Sequence, residues 1–312
     1  MNEIIMSVLV MGLIAIVLAV ALIISSKKFY VPENPLIEKV AALLPQANCG
    51  ACGFPGCAGF AKAFVEEPVP GMRCPVASAE VLKAIGEVVG RNIAEGKPMR
   101  AVLHCNGRHS NVQKVSEYIG IRSCAAAHML YTGDKACRYS CIGYGDCVKV
   151  CLFGAITIED GISVFDAEKC TGCGLCVKEC PRKVISLVQK RISNVRISCS
   201  SHDRGPVVRK NCKVGCIACG KCVKGCPKEA ITVAPGSNLA IIDDEKCILC
   251  GKCVAECDTM HAITADGRVV KAVEIIIKKK QQEKEEKQKA AALAAAGAAG
   301  NAAAPDTKEV KS

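Results

Sequence analysis

At 312 residues the chain can form two or three small domains rather than one large core. Half of it is hydrophobic, yet only 4% is aromatic and there is no Trp, so burial of large side chains contributes little. The 24 cysteines exclude an ordinary globular enzyme and leave a disulfide scaffold or a metal protein, and the formal charge of +11 has to be read together with them.

The N-terminus decides between those two classes. From Ile4 to Ile24 there is no charged residue, a stretch that spans about 30 Å as a helix, the thickness of a bilayer's hydrocarbon core. Lys27 and Lys28 follow it, and no Lys or Arg precedes it. A cleaved secretory signal has the opposite arrangement. Residues 1–26 are therefore expected to be an uncleaved single-pass anchor with the rest of the chain in the cytoplasm. Structural disulfides are rare there, so the cysteines read as metal ligands.

Residues 32–92 carry the first cysteine group, Cys49, Cys52, Cys57 and Cys74, in the sequence NCGACGFPGCAGFAKAF and beyond. Gly50, Gly53 and Gly56 allow tight turns that bring thiolates to one point. Four thiolates suit zinc or an iron–sulfur cluster. Ala77 to Glu95 has helical periodicity, with Val81, Leu82, Ile85, Val88, Val89 and Ile93 on one face. Residues 93–127 read as a connector, with a short strand at Arg100–His104 and a helix near Ser123–Tyr131.

Residues 128–190 hold two groups. Cys137, Cys141, Cys147 and Cys151 come first; Cys170, Cys173, Cys176 and Cys180 follow, with Pro181. The second is the C-x2-C-x2-C-x3-C-P ferredoxin run, whose fourth cysteine ligates the other cluster of a pair. The expected sets are thus Cys137, Cys141, Cys147 and Cys180, and Cys170, Cys173, Cys176 and Cys151. Residues 205–270 repeat the plan, with Cys216, Cys219, Cys222 and Cys257 in one set and Cys247, Cys250, Cys253 and Cys226 in the other. CPRKVI and CPKEAI mark the duplication. Cys212 competes with Cys216 as a ligand, and the tighter run favours Cys216. Cys105, Cys124 and Cys199 read as buried thiols. The five histidines form no ligand pattern.

These sets give five [4Fe–4S] clusters. A cubane on four thiolates carries about −2, so five add roughly −10 and nearly cancel the formal +11. Nucleic-acid binding is not expected. There is no G-x-G-x-x-G or phosphate loop, and no charged residue within the apolar span. Residues 271–312 read as a charged helix fading into a disordered Ala-rich tail. The fold class is α+β: one transmembrane helix, a small four-cysteine iron–sulfur domain, two tandem two-cluster ferredoxin-like domains and the tail.

NCGACGFPGC, ACRYSCIGYGDCVKVCLFGAI, CTGCGLCVKECP and VGCIACGKCVKGCPKEAI, in that order behind an anchor, resemble the B-subunit family of the Rnf electron-transport complex. The resemblance implies an electron-relay subunit of an ion-translocating ferredoxin:NAD oxidoreductase in the bacterial cytoplasmic membrane. It also implies other membrane and cytoplasmic subunits and ferredoxin as partners. Two other readings are a membrane-anchored polyferredoxin serving a hydrogenase or another redox enzyme, and a zinc-stabilised or redox-sensing interaction protein. The first does not require the Cys49–Cys74 group, and the second predicts colourless, zinc-loaded material.

Overall fold

The uncharged N-terminal run forms one helix, α1 (Asn2–Lys28), in a computed structural model. The structure describes residues 2–29, 34–93, 96–130, 133–191 and 193–300, with side-chain surroundings described within 4–290. Ile4–Lys28 is long and apolar enough to cross a membrane, and none of it is buried. A helix apolar on every face has no stable exposed position in water. The chain divides into two units, Met1–Ala94 and Glu95–Ser312.

In the first unit, α2 (Pro35–Leu43), α3 (Gly56–Glu66) and α4 (Ala79–Val89) pack together. Asn34 caps α2 by accepting the Leu36 N–H at 3.0 Å, and Pro35 fits the first turn, where its missing N–H costs nothing. Ser78 caps α4 through the Val81 N–H, and Gly90, at φ +70°, ends it. The core comprises Ile37, Val40, Leu44, Phe60, Ala61, Phe64, Ile85 and Cys74. Phe60 stacks on Phe64 and takes Phe54 edge-on. Val81, Val88, Val89 and Ile93 complete the apolar face predicted for 77–95.

The second unit is a duplication. Its first half contains β1 (Met99–Leu103), α5 (Cys124–Leu130), α6 (Asp146–Lys149), β2 (Ile156–Glu159), β3 (Ile162–Phe165), α7 (Leu175–Glu179) and β4 (Ile185–Gln189). Its second contains β5 (Val195–Ile197), α8 (Gly205–Asn211), α9 (Lys221–Lys224), β6 (Ile231–Val233), β7 (Ala240–Ile242), α10 (Lys252–Glu256) and β8 (Ile263–Ala265). Each half has a hairpin, β2–β3 or β6–β7, and an antiparallel pair joining its first and last strands, β1–β4 or β5–β8. Ala101 faces Leu187 in one such pair, and Arg196 faces Thr264 in the other. The strand expected in the connector is therefore part of the first half's sheet.

The chain ends in α11 (Arg268–Gly300). Its start packs Val269 and Val273 into the second half's core, and Lys280 pairs with Glu256. The helix expected over the charged stretch from 271 is thus present and continues to Gly300: the Lys/Glu/Ala sequence consists of strong helix formers, and α11 is anchored at one end. Residues 301–312 lie outside the described residues.

Cysteines are structural members of both cores. Cys105, Cys141, Cys147 and Cys176 are buried with Leu103, Ile156, Val184 and Ile185, and Cys222 and Cys253 with Ile197, Ile231 and Ile263. The helices of these cores before α11 have seven residues at most, and the strands three to five. Such elements are marginal without added restraints. Stripping the metal with a chelator and oxidant is accordingly expected to melt the second unit, seen as lost far-UV circular dichroism and rapid proteolysis. An unchanged spectrum after iron loss would show that the cores stand alone.

Candidate iron–sulfur centres

One backbone device recurs in four loops. Left-handed residues two apart flank a central position: Gly172 and Gly174 around Cys173, Ala218 and Gly220 around Cys219, Leu249 and Gly251 around Cys250, and Gly143 and Gly145 around Tyr144. Each loop then enters a short helix, α7, α9, α10 or α6. The alternation curls the loop so that successive cysteines face inward. At Gly172 a Cβ would run into the Met99 carbonyl oxygen, so glycine is needed for space as well as for conformation. Ala218 and Leu249 hold the same conformation without that freedom, the kind of local strain that collects at functional sites.

In the first unit, Cys49, Cys52 and Cys57 lie on the loop entering α3, and Cys74 returns between α3 and α4. Asn48 closes the loop by accepting the Cys57 N–H at 2.8 Å. Burial pushes the Cys74 thiol up, and the nearby Cys52 and Cys49 thiols add to the shift.

In the second half of the second unit, Cys216, Cys219, Cys222 and Cys257 line one cavity. The Ala262 N–H donates to Cys257 Sγ at 3.2 Å. Burial pushes Cys222 up to about 11, with Cys216, Cys257 and Cys219 beside it. Cys247, Cys250 and Cys226 surround Cys253, which burial and these neighbours raise to about 12. Cys226 Sγ accepts the Ala230 N–H at 3.4 Å. The ferredoxin-type crossing thus brings Cys257 and Cys226 to opposite loops.

In the first half, Cys170, Cys173 and Cys151 flank Cys176, raised to about 12 by burial and then by these thiols. The Ala101 N–H of β1 donates to Cys170 Sγ at 3.3 Å. The remaining set differs from the expected one. Cys141, Cys147 and Cys180 share a cavity with Cys124, not Cys137. Ser163 Oγ lies 3.5 Å from Cys141 Sγ and 3.3 Å from Cys147 Sγ. Asp146 latches Cys124 into place: its buried carboxylate accepts the Ser123 hydroxyl at 2.8 Å and the Ala125 N–H at 3.0 Å at the start of α5. Burial alone would raise the Asp146 carboxyl, but the hydrogen bonds from Ala125, Ser123 and Lys149 outweigh it and leave it below the ordinary range.

Alignment of the loops gives the reason. CIGYGDC has the pattern of CTGCGLC, with Tyr144 where the central cysteine would stand. That run lacks one thiol, and Cys124, at the start of α5, lies in the same cavity as its remaining cysteines. Cys137 lies outside the run and lines a different cavity with Cys105, Cys199 and Cys212. Cys124 therefore shares a cavity with three cysteines of the ferredoxin runs rather than standing alone as a buried thiol. The Tyr144 register carries the sequence signal for it.

The donor sets fit [4Fe–4S] cubanes. Each is four thiolate-forming cysteines, and backbone amides point at several of the sulfurs, as in proteins that tune such clusters. Among the described residues, no three Cys, His, Asp or Glu side chains are placed to hold a single metal ion. The thiols line cavities instead, an arrangement that suits a polynuclear cluster better than one Zn²⁺ with every sulfur at about 2.3 Å. A duplicated fold with cubane-binding loops of this kind defines a ferredoxin-type iron–sulfur protein.

Comparison with known proteins is consistent with that class. A family model for an Fe-S cluster matches residues 44–76, a 4Fe-4S binding domain matches 163–186, and a 4Fe-4S dicluster domain matches 215–263. The chain is 40% identical to the B subunit of the Na⁺-translocating ferredoxin:NAD⁺ oxidoreductase complex of Acetobacterium woodii, over 79% of this chain and 73% of that protein. It is 43% identical to the B subunit of the ion-translocating oxidoreductase complex of Methanosarcina acetivorans, over 77% of this chain and 90% of that one. With the B subunit of the proton-translocating ferredoxin:NAD⁺ oxidoreductase complex of Clostridium ljungdahlii the identity is 38%, over 78% and 85%. The chain belongs to the B-subunit family of ion-translocating oxidoreductase complexes.

Proposed function

We propose that this chain relays electrons from reduced ferredoxin into a membrane-bound, ion-translocating ferredoxin:NAD⁺ oxidoreductase complex. The observation that carries this reading is the grouping of cysteines at the loops of a ferredoxin-type duplication, with a further group in the first unit, in a chain related along most of its length to the B subunits of such complexes. In this reading they form five quartets: Cys49, Cys52, Cys57 and Cys74; Cys124, Cys141, Cys147 and Cys180; Cys151, Cys170, Cys173 and Cys176; Cys216, Cys219, Cys222 and Cys257; and Cys226, Cys247, Cys250 and Cys253.

Bound at these quartets, [4Fe–4S] cubanes supply one-electron transfer with little rearrangement. The protein's own part is to hold the sulfurs, exclude water and set potentials. Amides of Ala101, Ala230 and Ala262 donate to cluster sulfurs, which favours the reduced, more negative state. Lysines beside the loops, among them Lys149, Lys178, Lys221, Lys224 and Lys252, suit the docking of an acidic ferredoxin. In this reading α1 is a single-pass anchor, and the positive-inside rule applied to Lys27 and Lys28 supports a cytoplasmic position for the remainder. The chain itself acts as a carrier, and reduction of NAD⁺ falls to another subunit.

Cys170→Ala is expected to remove one ferredoxin-run cluster and to cut ferredoxin-dependent NAD⁺ reduction by membranes at least tenfold. The assay pairs that rate with the cluster's EPR signal. A full rate in membranes lacking the signal would remove this pair from the electron path and overturn the reading.

A further inference from the structure

The two halves of the duplication align without a gap from the hairpin into the next cluster loop: ISVFDAEKCTGC (162–173) stands against LAIIDDEKCILC (239–250). The strand registers agree, since Phe165 pairs with Ile156 in one hairpin and Ile242 with Ile231 in the other. Two positions beside the cluster cysteines differ in the same way. Ser163 of the first half corresponds to Ala240 of the second, and Thr171 to Ile248. The first half has a hydroxyl at both places and the second at neither.

Both hydroxyls are buried. Ser163 lines the cavity of Cys141, Cys147 and Cys180, with its Oγ 3.5 and 3.3 Å from the first two sulfurs. A thiolate only accepts, so in the loaded protein the serine is the donor. Ala240 is equally buried, lines the equivalent cavity of Cys216, Cys222 and Cys257, and brings no donor. Thr171 follows Cys170 directly, and its Oγ1 is buried without a hydrogen bond to any described residue. An unpaired buried hydroxyl is costly, so one in a native fold calls for an acceptor that the protein itself does not provide. The same place in the other three loops holds Ile142, Ile217 and Ile248, which are β-branched like threonine but have no hydroxyl.

Other influences on the clusters are shared or offset. Backbone amides reach sulfurs in both halves, from Ala101 in the first and from Ala230 and Ala262 in the second. Near the Cys141 loop the buried Lys135 ammonium is matched by the buried Asp146 carboxylate. Near the Cys216 loop Lys221 pairs with Asp258 at 2.8 Å, and Lys280 with Glu256. Arg182 lines the Cys180 cavity where the second half has Thr259, and its fixed positive charge acts in the same direction as the hydroxyls. The side chains around the clusters thus favour added negative charge in the first half.

We propose that Ser163 and Thr171 donate hydrogen bonds to the sulfurs of the first half's two cubanes and thereby make that half the electron-receiving half of the duplication. The proposal rests on the iron–sulfur reading above. A donor to sulfur favours the reduced cluster, which carries one more negative charge, and so raises its potential. One electron then leaves a cubane of the second half, which is oxidised, and settles on one of the first, which is reduced, with no bond made or broken. The halves form a step in potential rather than two equal stores.

The test is an EPR-monitored redox titration of the full chain, purified anaerobically in detergent, with iron counted in every variant. In the wild type, the signal that Cys170→Ala removes should titrate at a higher potential than the signal that Cys247→Ala removes. Thr171→Val keeps the shape and deletes the hydroxyl. It should make the Cys170 cluster about three- to tenfold harder to reduce, which is about 30–60 mV at about 59 mV per tenfold for one electron. Ser163→Ala installs the second half's residue and should shift the Cys180 cluster by a similar factor, leaving the Cys170 cluster where it was. Thr171→Ser retains the donor and should keep the wild-type potential. Full iron with an unshifted potential in either deletion variant, equal shifts in Thr171→Ser and Thr171→Val, or the reverse order of the two wild-type signals would each overturn the proposal. If one deletion variant loses iron, the other variant and the order of the wild-type signals decide. A Cys170→Ala chain that keeps all its iron would instead bring down the iron–sulfur reading itself.

Discussion

Cys124→Ser is expected to abolish the same cluster signal as Cys180→Ser, with a loss of about four irons in each. Cys137→Ser should leave that signal intact. The expectation follows from the cavity that Cys124 shares with Cys141, Cys147 and Cys180, and from the cavity that holds Cys137 instead. EPR spectra of the three reduced variants, with iron counts, make the comparison. If Cys137→Ser and Cys180→Ser lost one common signal while Cys124→Ser kept all its iron, the ligand set would be the one expected from spacing alone. Asp146 offers a milder intervention at the same place. Asp146→Asn keeps the side chain's shape but weakens the acceptor for the Ser123 hydroxyl and the Ala125 N–H that fix the start of α5. Loosening that latch is expected to make the Cys124 cluster the first one lost in air.

What the sequence discloses depends on whether a ligand is local. The runs around Cys170, Cys216 and Cys247 can be read because three thiols at every third position fit one curled loop, and left-handed residues at fixed places close it. The α1 span and the apolar face of α4 are legible for the same reason, since each is a periodicity within a single element. Cys124 is not legible by spacing. It comes from α5, and its partner loop carries Tyr144 in place of the thiol, so spacing assigns the vacant place to the nearest cysteine in sequence, Cys137. The strand at Met99–Leu103 can be seen as a strand but not as the partner of Ile185–Gln189, because antiparallel pairing over that separation leaves no local signature. The charge alternation after Lys278 reads as helix, but the anchoring of α11 does not show in it, because Val269 and Val273 reach a core assembled from distant strands.

Lys135 supplies the second large effect. Its side chain is 3% exposed, and its ammonium donates to the Cys141 carbonyl at 2.8 Å and the Gly161 carbonyl at 2.6 Å. Burial pulls its pKa down, while the nearby Cys105 and Cys141 thiols, ahead of Asp160 and Asp134, oppose that shift. A buried cation needs a compensating negative charge. A cubane on the Cys141 thiolate beside it, about −2, provides one. The reverse holds too: a fixed positive charge stabilises a cluster that gains an electron. At an effective dielectric constant of about 20, a unit charge about 10 Å away is worth about 1.7 kcal/mol, or about 70 mV for one electron. Lys135→Gln retains a donor and removes the charge, so it is expected to lower the potential of the adjacent cluster by about 50–100 mV. Lys135→Met also leaves two carbonyls without their donor and should cost a further 1–3 kcal/mol or so of stability. An EPR-monitored redox titration separates these effects: a potential unchanged in Lys135→Gln would mean that the side chain is uncharged in the loaded protein. A lowered potential in both variants, with extra instability only in Lys135→Met, would assign the charge to tuning and the hydrogen bonds to folding.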